Sequence, residues 1–298
     1  MPRRAPVGDR LVCIGNLTID EAVSPSGERS ESVGGDALFA ALAAKLAGGE
    51  PAILAPLGND ATPNLLDAIR SAGTDPASLP RRDLPTVRNV VRYDETGQRV
   101  WELVLGDAHF ENLSVHPADV PDTTLTAAGI LHCGMALHAQ LALSAWLRQH
   151  SEARIYFDPQ EDYLAGNESA LLDAVRACDV FLPSQIEATT LAGTSDLNAA
   201  AAAFLALGPA AVVIKLAEAG CLVATREHPE PTAVPADVVE PVDSTGAGDA
   251  FCGAFAAEHL RSGDVYAAAR AGASAARIAV GAPGINGLLA AVASGVAP

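Results

Sequence analysis

Positive charge is scarce in this sequence. Its 298 residues include 19 Lys and Arg against 36 Asp and Glu, which gives a formal net charge of −17 at pH 7. Proteins bind nucleic acids and anionic membrane surfaces through patches of Lys and Arg. The composition therefore argues against a nucleic-acid partner and against binding to a membrane surface.

Cysteines are few and scattered, and long apolar runs are missing. The five cysteines, at positions 13, 133, 178, 221 and 252, form no CxxC pair and no Cys/His pattern with zinc spacing. We interpret them as thiols of a protein in a reducing cytoplasm. No stretch resembles a signal peptide or a transmembrane helix, so we expect a cytoplasmic location.

Aromatic residues make up only 4% of the chain, whereas hydrophobic residues make up 49%. This length suits one large α/β domain or two small ones, and the apolar content allows a sizeable core. Because the sequence shows no clear domain boundary, we predict a single domain over residues 1–298. Helical windows rich in Ala and Leu alternate with short apolar runs. The predicted strands are Leu11–Ile14, Ala52–Leu57, Ile130–Cys133, Ile155–Asp158, Val180–Pro183 and Ala211–Lys215.

This alternation predicts a doubly wound α/β fold, in which helices cover both faces of a mostly parallel central sheet. Ligands of such folds bind at the carboxyl ends of the strands. Two segments, roughly 18–33 and 87–105, break the alternation, and the second has a hairpin turn at 94–97. We expect them to form a small β-sheet lid over the site. An exposed edge of that lid favours a homodimer.

The segment from Asp243 to Phe251 carries the clearest signal of function. Small residues at Gly246, Ala247 and Gly248 precede an apolar run that predicts a buried helix. The unpaired N–H groups at a helix start favour an anion, yet Asp249 places a fixed negative charge there. This conflict indicates a phosphoryl group with a carboxylate beside it to take a proton. An ordinary helix cap is the alternative for Asp249, and the helix start predicts a lowered pKa for its carboxyl.

Residues 243–256 resemble the second signature of the ribokinase-like (PfkB) carbohydrate kinases. Four further segments follow the order of that family: Gly15 to Asp20, Gly34-Gly35, Gly58 to Asp60, and Pro183 to Ala188. The resemblance covers nearly the whole chain. It implies the ribokinase-like fold with its lid.

The resemblance also implies ATP-dependent phosphorylation of a hydroxyl on a small carbohydrate or nucleoside-like substrate. Asp249 would be the base, and the backbone of Gly246, Ala247 and Gly248 would hold the transferring phosphoryl group. ATP and Mg²⁺ are the implied cofactors.

The acceptor-binding residues implied by the resemblance lie in the first third of the chain. Asp20 resembles the family's anchor for substrate hydroxyls, and Thr18 would lie on the same side of an extended segment. Gly34 and Gly35 permit the backbone to approach the substrate. An exposed acid at a strand end is the alternative for Asp20.

Cation sites are implied at two places. Glu187 would hold Mg²⁺ through water, or serve only as a carboxylate favoured by a helix dipole. Asp243 and Thr245 lie where family members often hold K⁺, and a turn stabilised by the Asp side chain is an equal alternative.

Lys215 ends a predicted strand, Glu218 and Gly220 follow it, and the resemblance implies that all three lie along the nucleotide. Lys215 would reach a phosphate, or it is simply a surface lysine at a strand end. Nothing in the sequence separates a sugar, sugar phosphate, nucleoside or sugar acid as acceptor. Arg88, Arg92 and Arg99 of the lid suit an anionic substrate or face solvent.

Three positions depart from the family pattern: Phe39 and Ser184 stand where Asn is common, and Ala217 where Gly is common. They motivate a rival hypothesis, a catalytically weak nucleotide or sugar sensor. A second rival, a Rossmann dehydrogenase, lacks the G-x-G-x-x-G fingerprint after the first strand.

Overall fold

The computed structural model of the protein describes residues 8–93 and 99–295. The strands in this part of the chain are β1 (Arg10–Ile14), β2 (Thr18–Val23), β3 (Arg29–Gly34), β4 (Glu50–Leu54), β5 (Val87–Tyr93), β6 (Arg99–Leu103), β7 (Gly129–His132), β8 (Arg154–Phe157), β9 (Val180–Phe181), β10 (Ala211–Lys215), β11 (Cys221–Thr225) and β12 (Thr232–Val234).

The helices are mostly those expected between the apolar runs. They are α1 (Asp36–Leu46), α2 (Pro63–Ser71), α3 (Asp107–Asn112), α4 (Asp122–Leu125), α5 (Leu137–His150), α6 (Glu168–Arg176), α7 (Gln185–Ala192), α8 (Leu197–Leu207), α9 (Ala247–Ser262), α10 (Val265–Val280) and α11 (Asn286–Ser294). Within the described residues, no helix combines the length and the hydrophobicity that a membrane span requires.

The central sheet has eight strands in the order β12-β11-β10-β9-β8-β7-β1-β4. The strands from β10 to β4 run parallel, as predicted. β11 and β12 add an antiparallel edge that we did not predict. Only residues 216–220 join β10 to β11, and this link is too short for the crossover that a parallel pair needs.

Helices cover both faces of the central sheet, which confirms the predicted doubly wound fold. Side chains of β1 alternate between two apolar cores: Leu11 and Cys13 pack with α1, α2, α9, α10 and α11, whereas Val12 and Ile14 pack with α5, α6, α7 and α8. This alternation follows from the two-residue period of a strand whose faces are both covered. All five cysteines are free and buried.

Two predicted strand limits were wrong by a few residues. β4 ends at Leu54, because Leu57 donates its N–H to Pro80 instead of continuing along β1. β9 ends at Phe181, although Lys215 still donates its N–H to the carbonyl of Pro183. Proline has no N–H to extend the ladder.

A second sheet of four strands has the order β3-β2-β5-β6. Its strands come from the two segments, 18–33 and 87–105, that interrupt the α/β alternation. β2 pairs with β3 and β5 with β6 in antiparallel hairpins, and the parallel pair β2–β5 joins them. The expected turn at 94–97 lies outside the described residues. We refer to these four strands as the small sheet.

α1 and α9 cross in direct backbone contact. A Cβ built on Gly253 of α9 would lie 2.0 Å from the carbonyl oxygen of Ala40 in α1, so this position accepts only glycine. At the helix starts, a Cβ on Gly246 would lie 2.3 Å from the Phe39 ring, and one on Gly15 would lie 3.1 Å from the amide of Ala37. Both helices therefore start at the carboxyl end of β1.

Candidate active site

Asp249 lies in the first turn of α9, at the carboxyl ends of the central strands. Gly246 caps this helix in the left-handed conformation, with φ of 72°. That conformation and the adjacent Phe39 ring each exclude a side chain at position 246. Asp249 is half-buried, and its carboxylate accepts a hydrogen bond from its own backbone amide.

The anion site was predicted at the first turn of α9. Helix geometry leaves the N–H group of Gly248 without an intrahelical acceptor, whereas the N–H group of Asp249 is bound by its own carboxylate. The amide of Ala247 makes a long contact of 3.4 Å to the carbonyl of Ser244. Because the helix dipole adds positive potential here, a phosphoryl group would be bound most directly at Gly248.

The pKa of Asp249 moves in the opposite direction from our expectation. Burial and next the charge of Asp158 raise this pKa to about 7, although Lys215 lowers it. The prediction of a lowered pKa was wrong because it considered only the helix dipole. Desolvation and a like charge outweigh that dipole in this site.

Asp158 and Lys215 form an ion pair beside Asp249. Lys215 Nζ lies 2.5 Å from Asp158 Oδ1, and the two side chains are 14% and 6% exposed. Cys252 donates its Sγ–H to the other oxygen of Asp158 at 3.2 Å. Lys215 is therefore not a surface lysine. Its Nζ would lie 3.7 Å from a Cβ built on Gly248, so the cation adjoins the predicted anion site.

Asp20 and Thr18, the residues predicted to bind the acceptor, lie on β2. Asp20 Oδ2 accepts a hydrogen bond from Thr18 Oγ1 at 2.7 Å, and Oδ1 accepts one from Asn89 at 2.8 Å. Asn89 lies opposite Asp20 in the β2–β5 register. Burial is the main cause that raises the pKa of Asp20, and the charge of Asp243 adds to it.

Gly34 and Gly35 lie beside this carboxylate, each for a different reason. A Cβ on Gly34 would lie 2.9 Å from Asp20 Oδ2, so the missing side chain leaves this carboxylate accessible. Gly35 has φ of 104°, and its Cβ would lie 2.4 Å from the carbonyl of Asn16. Gly35 thus permits α1 to start against the chain that leaves β1.

A small cleft opens between the small sheet and the starts of α1 and α9. We call it the acceptor cleft. Its lining comprises Asp20, Ala22, Ser32, Val33, Phe39, Val91, Asp243, Thr245 and Gly284.

The motifs did not single out Asp36, which the structure brings into the site. This first residue of α1 accepts a hydrogen bond from Asn16 Nδ2 at 3.0 Å. Burial, followed by the charges of Asp249, Asp158 and Asp20, holds the pKa of Asp36 well above its usual range. Asp36 directly follows Gly34-Gly35, and this position was the available sequence signal.

Asp158 was also missed, although it ends a predicted strand. Lys215 ends β10, and in a parallel sheet both strand ends point to the same edge. From this rule, the sequence could have indicated that Asp158 and Lys215 lie close together.

Asp243 stabilises the loop before α9. Its two oxygens accept the backbone N–H groups of Thr245 at 3.0 Å and of Gly284 at 2.9 Å. These contacts match the turn that was the alternative to a K⁺ ligand.

Glu187 and Ser184 form a capping box at the start of α7. Ser184 donates its N–H to Glu187 Oε2 at 2.6 Å, and Ser184 Oγ accepts the N–H of Glu187 at 3.2 Å. Burial is the main cause that raises the pKa of Glu187 to about 8. Among the described residues, no three His, Cys, Asp or Glu side chains converge to hold a metal ion. Glu187 therefore fits Mg²⁺ only through water and the phosphates of ATP.

Glu218 and Gly220 occupy the turn between β10 and β11. Glu218 is exposed. Gly220 has φ of 92°, and its Cβ would lie 2.1 Å from the carbonyl of Val234, so close packing against β12 explains this glycine. The structure brings Lys215 next to Asp249. Glu218 and Gly220 lie further along the chain, in the turn that follows Lys215.

Comparisons with known proteins agree with this fold. The sequence model of the "pfkB family carbohydrate kinase" matches residues 9–290. The chain is 29% identical over 269 residues to the cytidine kinase of Thermococcus kodakarensis, covering 90% of this chain and 94% of that protein.

Solved structures show the same fold. The adenosine kinase of Sinorhizobium meliloti superposes with a TM-score of 0.81 at 21% identity, covering 96% of this chain and 98% of that one. The nucleoside kinase of Methanocaldococcus jannaschii, an archaeal member of the ribokinase family, also gives 0.81 at 16% identity, covering 98% and 99%. The family match spans nearly all of the described strands and helices. The chain therefore belongs to the pfkB family of carbohydrate kinases.

Proposed function

We propose that this protein transfers the γ-phosphoryl group of ATP to a hydroxyl of a small sugar or nucleoside. The observation that carries the proposal is the position of Asp249. Its carboxyl is half-buried in the first turn of α9, next to the amide of Gly248 and the cation of Lys215. An acid, a helix N-terminus and a cation thus meet at the start of α9.

In the proposed reaction, Asp249 orients the acceptor hydroxyl and accepts its proton. Phosphoryl transfer passes through a loose transition state, so this base acts late and does not need to be strong. With a pKa of about 7, Asp249 is ionised in a large part of the molecules at neutral pH, and its proton affinity suits general-base chemistry.

The backbone amides of residues 246–248 and Lys215 would stabilise the charge on the transferring group. Asp158 keeps Lys215 next to Gly248 through their ion pair. Fixed dipoles and charges aimed at the phosphoryl oxygens need no reorganisation during the reaction. Glu218 and Gly220 would lie along the remainder of the nucleotide.

Mg²⁺ would neutralise the phosphate oxygens of ATP. Glu187 would hold the ion through water, since its Oε2 already accepts the N–H of Ser184. Because Ser184 completes a capping box, this departure from the family pattern has a structural role and does not favour the sensor hypothesis. The hydrogen bonds of Asp243 explain that residue without K⁺, so K⁺ dependence at Asp243 and Thr245 remains to be measured.

The small sheet would act as a lid that excludes water, which otherwise competes with the acceptor. Asp20, on this sheet, would bind substrate hydroxyls together with Thr18, and the backbone at Gly34 and Gly35 would let the substrate approach. A homodimer through an edge of the small sheet is part of the proposal, and sedimentation of the purified protein tests it.

The experiment is a screen of neutral sugars and nucleosides with ATP and Mg²⁺, with and without K⁺. Formation of ADP and of a phosphorylated product should appear together for at least one acceptor. Asp249→Asn serves as the matched control. If Asp249→Asn retains the turnover of the unmodified protein, the base assignment is refuted. If ATP binds but no acceptor is phosphorylated, the sensor hypothesis is favoured.

A further inference from the structure

We infer that Phe39 determines the specificity of the acceptor cleft by selecting a deoxy sugar or a deoxynucleoside. Such an acceptor presents a carbon without a hydroxyl to the Phe39 ring, between its reacting hydroxyl and the hydroxyls that Asp20 binds. This selectivity rests on the proposed kinase function, which leaves the number and the position of the acceptor's hydroxyls open.

The ring of Phe39 lies between the start of α9 and the carboxylate of Asp20. A Cβ built on Gly246 would lie 2.3 Å from Cδ1 of the ring, and one built on Gly34 would lie 3.3 Å from its Cε2. Phe39 is a buried residue of α1 that also lines the acceptor cleft. The contact with the backbone of Gly246 holds the ring in this position.

The space that the missing side chain of Gly34 leaves open has chemically different neighbours. The position of its absent Cβ lies 2.9 Å from Asp20 Oδ2 and 3.2 Å from Thr18 Oγ1, but also 3.3 Å from Phe39 Cε2. Asp20 accepts hydrogen bonds from Thr18 and Asn89. Because a carboxylate has about four lone-pair sites, Asp20 can still accept hydrogen bonds from an acceptor molecule. The ring carbon offers no such partner.

An acceptor that reaches both acids must pass this ring. In the proposed reaction, one hydroxyl contacts Asp249 in the first turn of α9, and other hydroxyls contact Asp20. The part of the acceptor between them therefore meets Phe39. A hydroxyl on that part would lose its hydration without gaining a hydrogen-bond partner, whereas a CH₂ group gains contact with the ring.

Further apolar side chains line the same cleft. They are Ala22, Val33 and Val91. The cleft also has side-chain hydroxyls at Ser32 and Thr245, which leave a place for other hydroxyls of the acceptor. The cleft therefore suits a molecule that is only partly hydroxylated.

The described arginines of the small sheet do not provide a donor for a hydroxyl at the ring. Arg88 is paired with Asp60 at 2.8 Å, and Arg92 lies 3.6 Å from Glu102. Using either arginine for the acceptor would require breaking its ion pair. The side chain of Arg99 lies outside the described residues.

The test compares acceptors that differ by one hydroxyl. Each neutral sugar and nucleoside is paired with its monodeoxy analogues, and kcat/KM is measured for every member with ATP and Mg²⁺. We expect removal of one particular hydroxyl to raise kcat/KM by about 10- to 100-fold, because an apolar pocket rejects an added hydroxyl by up to about 100-fold. Removal of a hydroxyl that Asp20 binds should lower kcat/KM. If no deoxy analogue exceeds its parent compound, the inference is overturned and the kinase function stands.

Two variants separate the polarity of residue 39 from the loss of the ring. Phe39→Asn and Phe39→Leu both remove the ring that packs against Gly246, so turnover should fall in both. Asn has an amide that can bond a hydroxyl, and we expect the preference for the deoxy member to shrink by about tenfold. Leu is apolar and should keep the preference. The same preference in both variants would contradict the role of Phe39.

The two hypotheses can fail separately. If no alcohol is phosphorylated, the proposed kinase function fails. Isothermal titration of the unmodified protein with the same pairs then decides the selectivity, so the result does not depend on turnover or on the folding of the variants. Tighter binding of a deoxy member would support the inference. Equal or weaker binding of every deoxy member, or no binding of any member, would overturn it.

Discussion

Replacing Asp249 by Asn should abolish most of the activity and, at the same time, stabilise the protein. Asn has nearly the same shape as Asp but cannot accept the proton of an acceptor hydroxyl. Because a positioned general base contributes about 10²–10⁴-fold, we expect a loss of turnover of that order. The increase in stability follows from the environment that the structure gives to the carboxylate.

The size of the stabilisation follows from the pKa of Asp249, which burial and the charge of Asp158 raise from 3.8 to about 7. A difference of this size corresponds to roughly 4 kcal/mol as an upper limit. Asp249 is only half-buried, so solvent screens part of this cost and we expect about 2 kcal/mol.

The sign of the effect depends on pH. Near pH 4, Asp249 keeps its proton in the folded protein and is only partly ionised in the unfolded chain, so its ionisation lowers the free energy of unfolding only slightly. As pH rises toward the folded pKa of about 7, the unfolded chain ionises first and the folded state becomes progressively less stable. Asp249→Asn has no ionisable group at this position. Its free energy of unfolding should therefore exceed that of the unmodified protein by an amount that grows between about pH 4 and pH 7 and then stays constant.

Urea unfolding of both proteins at about pH 4.5 and pH 8.5 measures this difference. Asp173→Asn is the control, since Asp173 is 76% exposed on α6 and its ion pair with Arg176 lies at the surface. A stabilisation that is absent, or that is equal at both pH values, would refute the reasoning on the electrostatics of Asp249.

Three further perturbations test other parts of the site. Gly246→Ala should lower both stability and turnover. Its control, Gly263→Ala, has nearly the same φ but open space around its Cβ, so it should cost about 1–2 kcal/mol of stability and leave turnover unchanged. Equal turnover in both variants would contradict the role of the α9 start. Lys215 lowers the pKa of Asp249 and Asp158 raises it. Lys215→Met should therefore move the acidic limb of the pH–rate profile to higher pH, and Asp158→Asn should move it to lower pH. Shifts in the same direction would show that another group controls the profile. Glu187→Gln keeps an acceptor for the capping hydrogen bond and should raise the Mg²⁺ concentration needed for half-maximal turnover several-fold. An unchanged Mg²⁺ concentration at half-maximal turnover would show that Glu187 does not hold the metal ion.

The fold could be predicted from the sequence because its signals are local. Continuous apolar strands and Ala-rich helices identify a parallel sheet with both faces covered, and the two interrupting segments identify the small sheet. The antiparallel edge formed by β11 and β12 escaped the prediction because the direction of a strand depends on the length of the link before it. The link formed by residues 216–220 is short enough to require an antiparallel strand after it, but that strand was not recognised in the sequence.

The candidate site could be predicted only in part. Asp249 and its glycines stand together in the sequence, and Asp20 stands in a recognisable segment. The roles of Asp36 and Asp158 depend on distances between residues that are far apart along the chain. The direction of the pKa shift of Asp249 was wrong for the same reason, since burial and a charge from another strand determine it.

The most direct test of the central claim is a structure of the protein with a non-hydrolysable ATP analogue and a neutral acceptor found in the screen. We predict that the γ-phosphate oxygens lie about 3 Å from the backbone amides of residues 246–248 and that the acceptor hydroxyl contacts the carboxylate of Asp249. Phosphates bound elsewhere, with the start of α9 in contact only with protein or solvent, would contradict the account.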